Sequence, residues 1–383
     1  MGVITAARLG SSPLRVDWSG LANVPAGIAS PTAAIGRQID GTHLLSLWKT
    51  LKARFESGEI GFFDAPINSM ISGINEVRVL AESYLKSGVW TDCLFLGIGG
   101  SALGPLSLVS ALQSKSPRTN DHGRIRFHFQ ENIDPEEWRD TLATLSPATT
   151  LVCIVTKSGA TYETLAQAIL ALEWLGRARW SKQVIAITDP LDGELRRFTD
   201  QYQIPSLPIP KSIGGRFSVF SPVGLFPAVL AGLDAEAFLL GAKQVRDNLE
   251  RSPPEKNPLF ILAHELVRHS ARRPIHVCMP YSSRLRAIGD WWVQLWSESL
   301  GKDGKGFTAL AALGATDQHS ILQLLRDGPD DKITWFITVE QRQDSVPIPK
   351  LSVRVGDDVP PTIKLLEGQS LESLLRVEYT ATS

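Results

Sequence analysis

The sequence predicts an α/β fold made of two parallel sheets, and three features carry that expectation. From Asp92 onward, short apolar runs alternate with longer helical patterns. That order implies right-handed βαβ crossovers and sheets covered on both faces by helices. The segment 250–258, ERSPPEKNP, is charged and proline-rich, as an interdomain boundary would be. After it the order helix, apolar strand, serine-containing turn and long helix begins a second time.

Taken along the chain, residues 1 to about 35 are rich in Ala, Gly, Ser and Pro without periodicity and are expected to form an irregular arm, followed by helices over 43–57 and 74–86. Strands are expected at 93–98 (CLFLGI), 124–130 (RIRFHFQ), 150–156 (TLVCIVT) and 183–189 (QVIAITD), with 162–177 the clearest intervening helix. The second half reads as a helix over 259–273, a strand over 274–280 (PIHVCMP), a turn YSSRL and a tryptophan-rich helix over 282–300. The expected organisation is therefore an N-terminal arm with helices (1–89), a first α/β domain (90–250) and a second α/β domain (259–383).

Composition excludes several classes. Lys and Arg number 39 against 40 Asp and Glu, and a net charge of −1 offers no surface for nucleic acid or an anionic membrane. The longest largely apolar run, 222–233, is far shorter than the ~20 residues of a membrane span, so no transmembrane helix is expected. The N-terminus lacks an apolar core of the signal-peptide kind. Cys93, Cys153 and Cys278 each sit in an apolar run, as buried thiols of a reducing compartment would, and a cytoplasmic location is expected.

Ligands of open α/β sheets bind at the carboxyl ends of strands, and four segments there could carry chemistry. The first is Gly97-Ile98-Gly99-Gly100-Ser101, straight after a strand. Its glycines let an anion approach the backbone, and a helix start supplies free N–H groups. With Ala102 it also satisfies the dinucleotide pattern GxGxxA, although the candidate ribose acid Glu131 lies 29 residues on (131 − 102), against about 20 expected. A tight turn built for packing alone would read the same. The second, Thr156-Lys157-Ser158-Gly159-Ala160-Thr161, gathers three hydroxyls, a glycine and a cation before a helix, a cradle suited to a phosphate monoester. A simple threonine cap would explain Thr161 alone. Two hydroxyl-bearing loops favour phosphate over a dinucleotide.

The third, Gly214-Gly215-Arg216-Phe217-Ser218, precedes Ser221-Pro222, a cap and first-turn pair for a helix. Arg216 either points its fork into a cleft or pairs with a structural carboxylate. The fourth is the helix over 282–300. Leu285, Ile288, Trp292 and Leu295 are expected to face the core, with Trp291, Gln294 and Glu298 on a second stripe and Gln294 and Glu298 stacked at i and i+4. Glu298 is either a partly desolvated base or a solvent-facing glutamate. His319, set among polar neighbours at a helix start, is either a functional or a capping histidine.

Together LGIGGSALGP, TKSGATYET, GGRFSVFSPVGL, WWVQLWSESLGK and DQHSILQLLRDGP, in that order, resemble the phosphoglucose isomerase family over about 94–329. The resemblance implies two sugar-isomerase α/β domains of unequal size, each a doubly wound parallel sheet flanked by helices, in a homodimer, with no metal and no cofactor. It implies that Gly100, Ser101, Thr156, Ser158, Thr161 and the backbone of Lys157 hold a sugar phosphate. Arg216 would steady an enediolate, Glu298 would shuttle the proton between C1 and C2, and Gln294 would orient the substrate. His319, donated by the neighbouring subunit, would assist ring opening. The activity implied is interconversion of glucose 6-phosphate and fructose 6-phosphate. A regulator that kept the phosphate loops without turnover is the other reading, and a nicotinamide-dependent oxidoreductase rests on GIGGSA alone. Two departures stand out: Ala160 replaces a hydroxyl residue, and the chain stops at Ser383 inside a helical pattern, where the family continues toward a catalytic lysine. Slowed ring opening is the expectation from that second departure.

Overall fold

A computed structural model describes residues 6–8, 15–17, 41–113, 125–342, 345–355 and 358–383. The chain divides into two compact units, Met1–Arg268 and His269–Ser383. Where the sequence suggested an irregular arm, β1 (Ala6–Arg8) and β2 (Arg15–Asp17) pair antiparallel, with Ala6 opposite Asp17. The rest of that arm lies outside the described residues.

Before the first large sheet come α1 (Gly41–Glu56) and α2 (Ile74–Ser87), within two residues of their expected bounds, with a short helical stretch over 65–73 leading into α2. Ile74, Val77, Ala81 and Tyr84 of α2 are buried, the i, i+3, i+4 spacing of one helix face. Beneath α1, Trp48, Phe55 and Phe63 form a cluster to which Leu249 and Phe260 add. Phe260 belongs to a helix over Pro258–His269 and meets Trp48 edge-on at 5.3 Å. That contact ties the helix to the first unit, so the units part at 268/269 and not at 250–258.

The first sheet holds β3 (Asp92–Leu96), β4 (Arg126–Gln130), β5 (Thr150–Thr156), β6 (Val184–Thr188) and β7 (Ser206–Pro208). All pairs are parallel, in the order β4-β3-β5-β6-β7. Every residue of β3, β5 and β6 is buried, the signature of central strands covered on both faces. The chain leaves β3 for β4 on one side and then returns to place β5 on the other. Order therefore reverses between β3 and β5, the switch point where loops diverge and open a crevice. Leu96 pairs with Ile154, so β5 runs two residues further and carries Thr156 to the sheet edge opposite Thr188. Helix α3 (Leu103–Leu112) follows β3, and α4 (Tyr162–Leu175) follows β5, ending two residues before its expected end where Gly176 takes φ +76°. Ser221 caps α5 (Pro222–Leu230) by accepting from Val223 N–H at 3.3 Å, with Pro222 at the first helical position, as the sequence indicated.

The second unit is a smaller parallel sheet in the order β10-β8-β9, formed by β8 (Ile275–Pro280), β9 (Thr308–Ala311) and β10 (Lys332–Ile337). Helix α6 (Arg286–Leu300) joins β8 to β9, and α7 (Gln318–Asp327) joins β9 to β10. The tryptophan-rich helix starts at Arg286, not at Ser282, because Ser283–Leu285 forms a 3₁₀ turn first. Its fully buried residues are Ala287 and Gly289, while Leu285, Ile288, Trp292 and Leu295 are half-buried, which corrects the expected core face. The reason is close approach: a Cβ on Gly289 would stand 3.2 Å from the Cβ of Ala311 in β9. The last helix, α8 (Leu371–Thr382), starts in a reciprocal cap between Ser370 and Ser373. All three cysteines are buried, and burial pushes the Cys278 thiol up to about 12. Among the described residues no helix is long and apolar enough to cross a membrane.

His276, on β8, is fully buried against Phe307, with ring centroids 4.2 Å apart. Its Nδ1 accepts the Trp296 indole N–H at 3.0 Å, which ties α6 to the sheet. Burial, outweighing a backbone hydrogen bond with Arg273, lowers its pKa from 6.5 to about 4. The unfolded chain therefore takes up a proton that the folded one refuses, and stability is lost as pH falls from about 6.5 through about 4. Urea midpoints measured across that window should drop less for His276→Asn, which cannot titrate but can still accept from Trp296, than for the parent chain. An equal slope in both would exclude His276 as the source.

Candidate active site

In the first unit the two loops at the switch point meet a third segment. After β3, Gly99–Ser101 forms a 3₁₀ turn before α3, and Ser101 is half-buried there. A Cβ on Gly100 would lie within 3.0 Å of the Gly215 carbonyl and the Arg216 nitrogen, so backbone packs directly on backbone. Ser218 Oγ donates to the Gly100 carbonyl at 3.0 Å and fixes the same contact. Arg216 lies in the 3₁₀ segment Gly215–Phe220, with its guanidinium 4.5 Å over the Phe217 ring. Phe217 in turn stacks on Phe62 at 4.1 Å. The arginine thus rests on an aromatic shelf.

At the end of β5, Thr156, Ser158 and Thr161 bring three hydroxyls together. Thr156 Oγ1 is 2.9 Å from Thr161 Oγ1, and Ser158 Oγ is 3.5 Å from each. Thr161 occupies the capping position of α4, but its side chain makes no cap hydrogen bond, because it is engaged with Thr156. The helix N–H groups consequently remain available to an anion. Gly159 has φ +68°, and a Cβ there would stand 3.1 Å from Glu194 N and Leu195 N, so a side chain is disfavoured twice over.

The Lys157 ammonium, read from the loop as a nearby cation, donates to the carbonyls of Lys211 and Ile213, each at 2.7 Å. Burial lowers its pKa, with Asp189 opposing.

The second unit holds Gln294, Glu298 and His319. Gln294 Nε2 donates to Glu298 Oε1 at 3.2 Å, the i, i+4 pairing expected on α6. Glu298 is exposed within this chain, and the Gln294 Oε1 is buried without a hydrogen-bond partner. His319 stands exposed on the first turn of α7. Beside it, the buried Gln318 side chain donates to the Tyr281 hydroxyl (2.7 Å), the Glu378 carbonyl (3.0 Å) and Thr382 Oγ1, and so joins the start of α7 to α8. Sequence reasoning gave no role to Gln318 and Ser218, although both lie inside the quoted motifs, and it missed Phe62, which nothing local marks.

The chain is similar to known proteins. A family model described as phosphoglucose isomerase matches residues 74–354. The glucose-6-phosphate isomerase of Rubrobacter xylanophilus is 42% identical over 312 residues, which is 79% of this chain and 70% of that protein. The glucose-6-phosphate isomerase of Thermus thermophilus is 38% identical over 348 residues, 87% of this chain and 78% of that one. Among solved structures, a hypothetical protein from Thermus thermophilus superposes with a TM-score of 0.79 at 36% identity, covering 91% of this chain and 81% of that one.

The two glycines that flank the contact should respond differently to a methyl group. Gly100→Ala forces backbone off backbone and should destabilise the fold by about 1–3 kcal/mol. Gly215→Ala, with nothing within 4 Å of its added Cβ, should stay within about 0.5 kcal/mol of the parent chain. Urea midpoints at constant m-value test the contrast, and equal midpoints would contradict the packing described.

Proposed function

The chain belongs to the phosphoglucose isomerase family, and from that premise we propose that it interconverts glucose 6-phosphate and fructose 6-phosphate. The reaction is an aldose–ketose isomerisation through a cis-enediolate. The single observation that supports it best in this chain is the triangle of Thr156, Ser158 and Thr161 hydroxyls at the start of α4. The names of the relatives support turnover and lend nothing to the reading as a regulator.

The chemistry needs an anchor for the phosphate, a base for a carbon acid and a positive group for the enediolate oxygen. In this proposal the hydroxyls of Ser101, Thr156, Ser158 and Thr161, with the Gly100 and Lys157 backbones, hold the phosphate. Ring opening breaks the bond between the anomeric carbon and the ring oxygen, moving a proton from the anomeric hydroxyl to that oxygen, assisted by His319 from the neighbouring subunit of a homodimer. Glu298 then removes the C2 proton and delivers it to C1. Its Oε1 accepts from the Gln294 amide at 3.2 Å, and Gln294 also orients the substrate. Arg216 neutralises the enediolate from its shelf on Phe217. The cytoplasm, where sugar phosphates are metabolised, is the proposed location.

The direct test is a coupled assay on the purified chain with fructose 6-phosphate, and no formation of glucose 6-phosphate would overturn the proposal. In the same assay Glu298→Gln should lower kcat by about 10²–10⁴-fold, the worth of a positioned general base. KM should move only a few-fold, and unchanged turnover would remove Glu298 from the mechanism. Recognition through the phosphate means that 6-phosphogluconate and inorganic phosphate compete with substrate while free glucose does not; calorimetry showing equal affinity for glucose and glucose 6-phosphate would contradict the assignment.

A further inference from the structure

We propose that the Lys157 side chain is a positioning strap for Arg216 and not a ligand of the phosphate, an inference that rests on the isomerase reading above for its catalytic consequence. The Lys157 ammonium donates to the carbonyls of Lys211 and Ile213, both at 2.7 Å. Those carbonyls lie five and three residues before Arg216 (216 − 211 and 216 − 213). Between Ile213 and Arg216 stand only Gly214 and Gly215, which carry no side chain to hold the backbone in place. The register of the arginine therefore depends on anchors to either side.

Downstream, the anchor is the Gly100 loop, through close backbone packing on Gly215 and the Ser218 hydrogen bond. Upstream, it is Lys157, with help from the Gly61 N–H, which donates to the Ser212 carbonyl at 3.1 Å. The two principal anchors belong to the two βα loops that flank the switch point. Arg216 is thus strung between the glycine loop and the hydroxyl loop, and the strap fixes its distance from the hydroxyls. Two charge-assisted hydrogen bonds to carbonyls also hold the ammonium away from the anion cradle. A bound phosphate would meet hydroxyls and N–H groups there, with the positive charge reserved for the far end of the substrate.

The consequence is a separation of binding from turnover. Lys157→Met keeps the apolar stem and removes the donors, so the phosphate cradle persists while Arg216 loses its register. Turnover should then fall by about 10²-fold, as misplacement by an ångström can cause. The inhibition constant for inorganic phosphate should stay within about 3-fold of the parent value, because hydrogen bonds to the phosphate are unaltered. Once Arg216 is replaced by Met, adding Lys157→Met should slow turnover no further, since the strap then has nothing to position. Lys157→Arg, which retains donors, should recover part of the rate.

Three results would overturn the inference: phosphate inhibition weakened as much as kcat/KM with kcat intact, fully additive losses in the double mutant, or wild-type turnover in Lys157→Met. If the parent chain itself shows no turnover, the isomerase reading fails, and the strap is then judged by hydrogen exchange alone. Amides 214–217 should exchange faster in Lys157→Met than in the parent chain, and unchanged protection would overturn it. Circular dichroism and bound phosphate in each variant establish that the fold is retained.

Discussion

At the switch point of the first sheet, the backbone of Gly100 lies against the backbone of Gly215 and Arg216 with no side chain between them. Much of the site geometry in the first unit follows from that contact. Adjacent parallel strands β3 and β5 send their following loops in opposite directions, which opens a crevice but leaves its floor without support. The segment from Lys211 to Ser218 supplies the support. It can lie so close only because Gly100 lacks a Cβ, and the Ser218 hydroxyl uses that closeness to reach the Gly100 carbonyl. Arg216 then leaves the backbone where the two loops meet the segment. Phe217 and Phe62 limit where its guanidinium can go.

The hydroxyl loop works by a related economy of side chains. Thr156 ends a buried strand, and Thr188 of the neighbouring strand holds its carbonyl at 2.7 Å. Its hydroxyl is left to join those of Ser158 and Thr161. Because Thr161 turns toward this cluster, the first N–H groups of α4 are not consumed by a cap, and the positive end of the helix remains open to an anion. Lys157, the one cation in the loop, is drawn into carbonyls of the supporting segment instead. The hydroxyl loop is therefore neutral apart from the helix end.

In the second unit, the helix carrying Gln294 and Glu298 is fixed to its sheet by small residues and by one buried hydrogen bond. Ala287 and Gly289 let it approach β9 closely, and Trp296 donates to His276 on β8. Protonation of His276 would remove the acceptor, and burial keeps the ring neutral well below its ordinary pKa. His319 is set by a different device, the Gln318 amide, which ties the start of α7 to Tyr281 and to the last helix.

The sequence by itself determined strands β3, β4, β5, β6 and β8 and the strand ends where chemistry could occur. Runs such as TLVCIVT are apolar throughout because both faces of a central strand are covered, and glycines, hydroxyls and caps at strand ends depend on residues only a few positions apart. Glu298 and Gln294 were legible as a pair for the same reason, since i, i+4 contacts are local. Tertiary structure decided what depends on distant partners. It placed 258–268 with the first unit because Phe260 found Trp48, and it began α6 at Arg286 because a 3₁₀ turn intervened. It turned Lys157 toward carbonyls 54 and 56 residues away, where local pattern had shown only a cation beside a phosphate cradle. A side chain's residue type and its neighbours set what it can do, but which carbonyl its donors reach is settled only when the strands are ordered in the sheet.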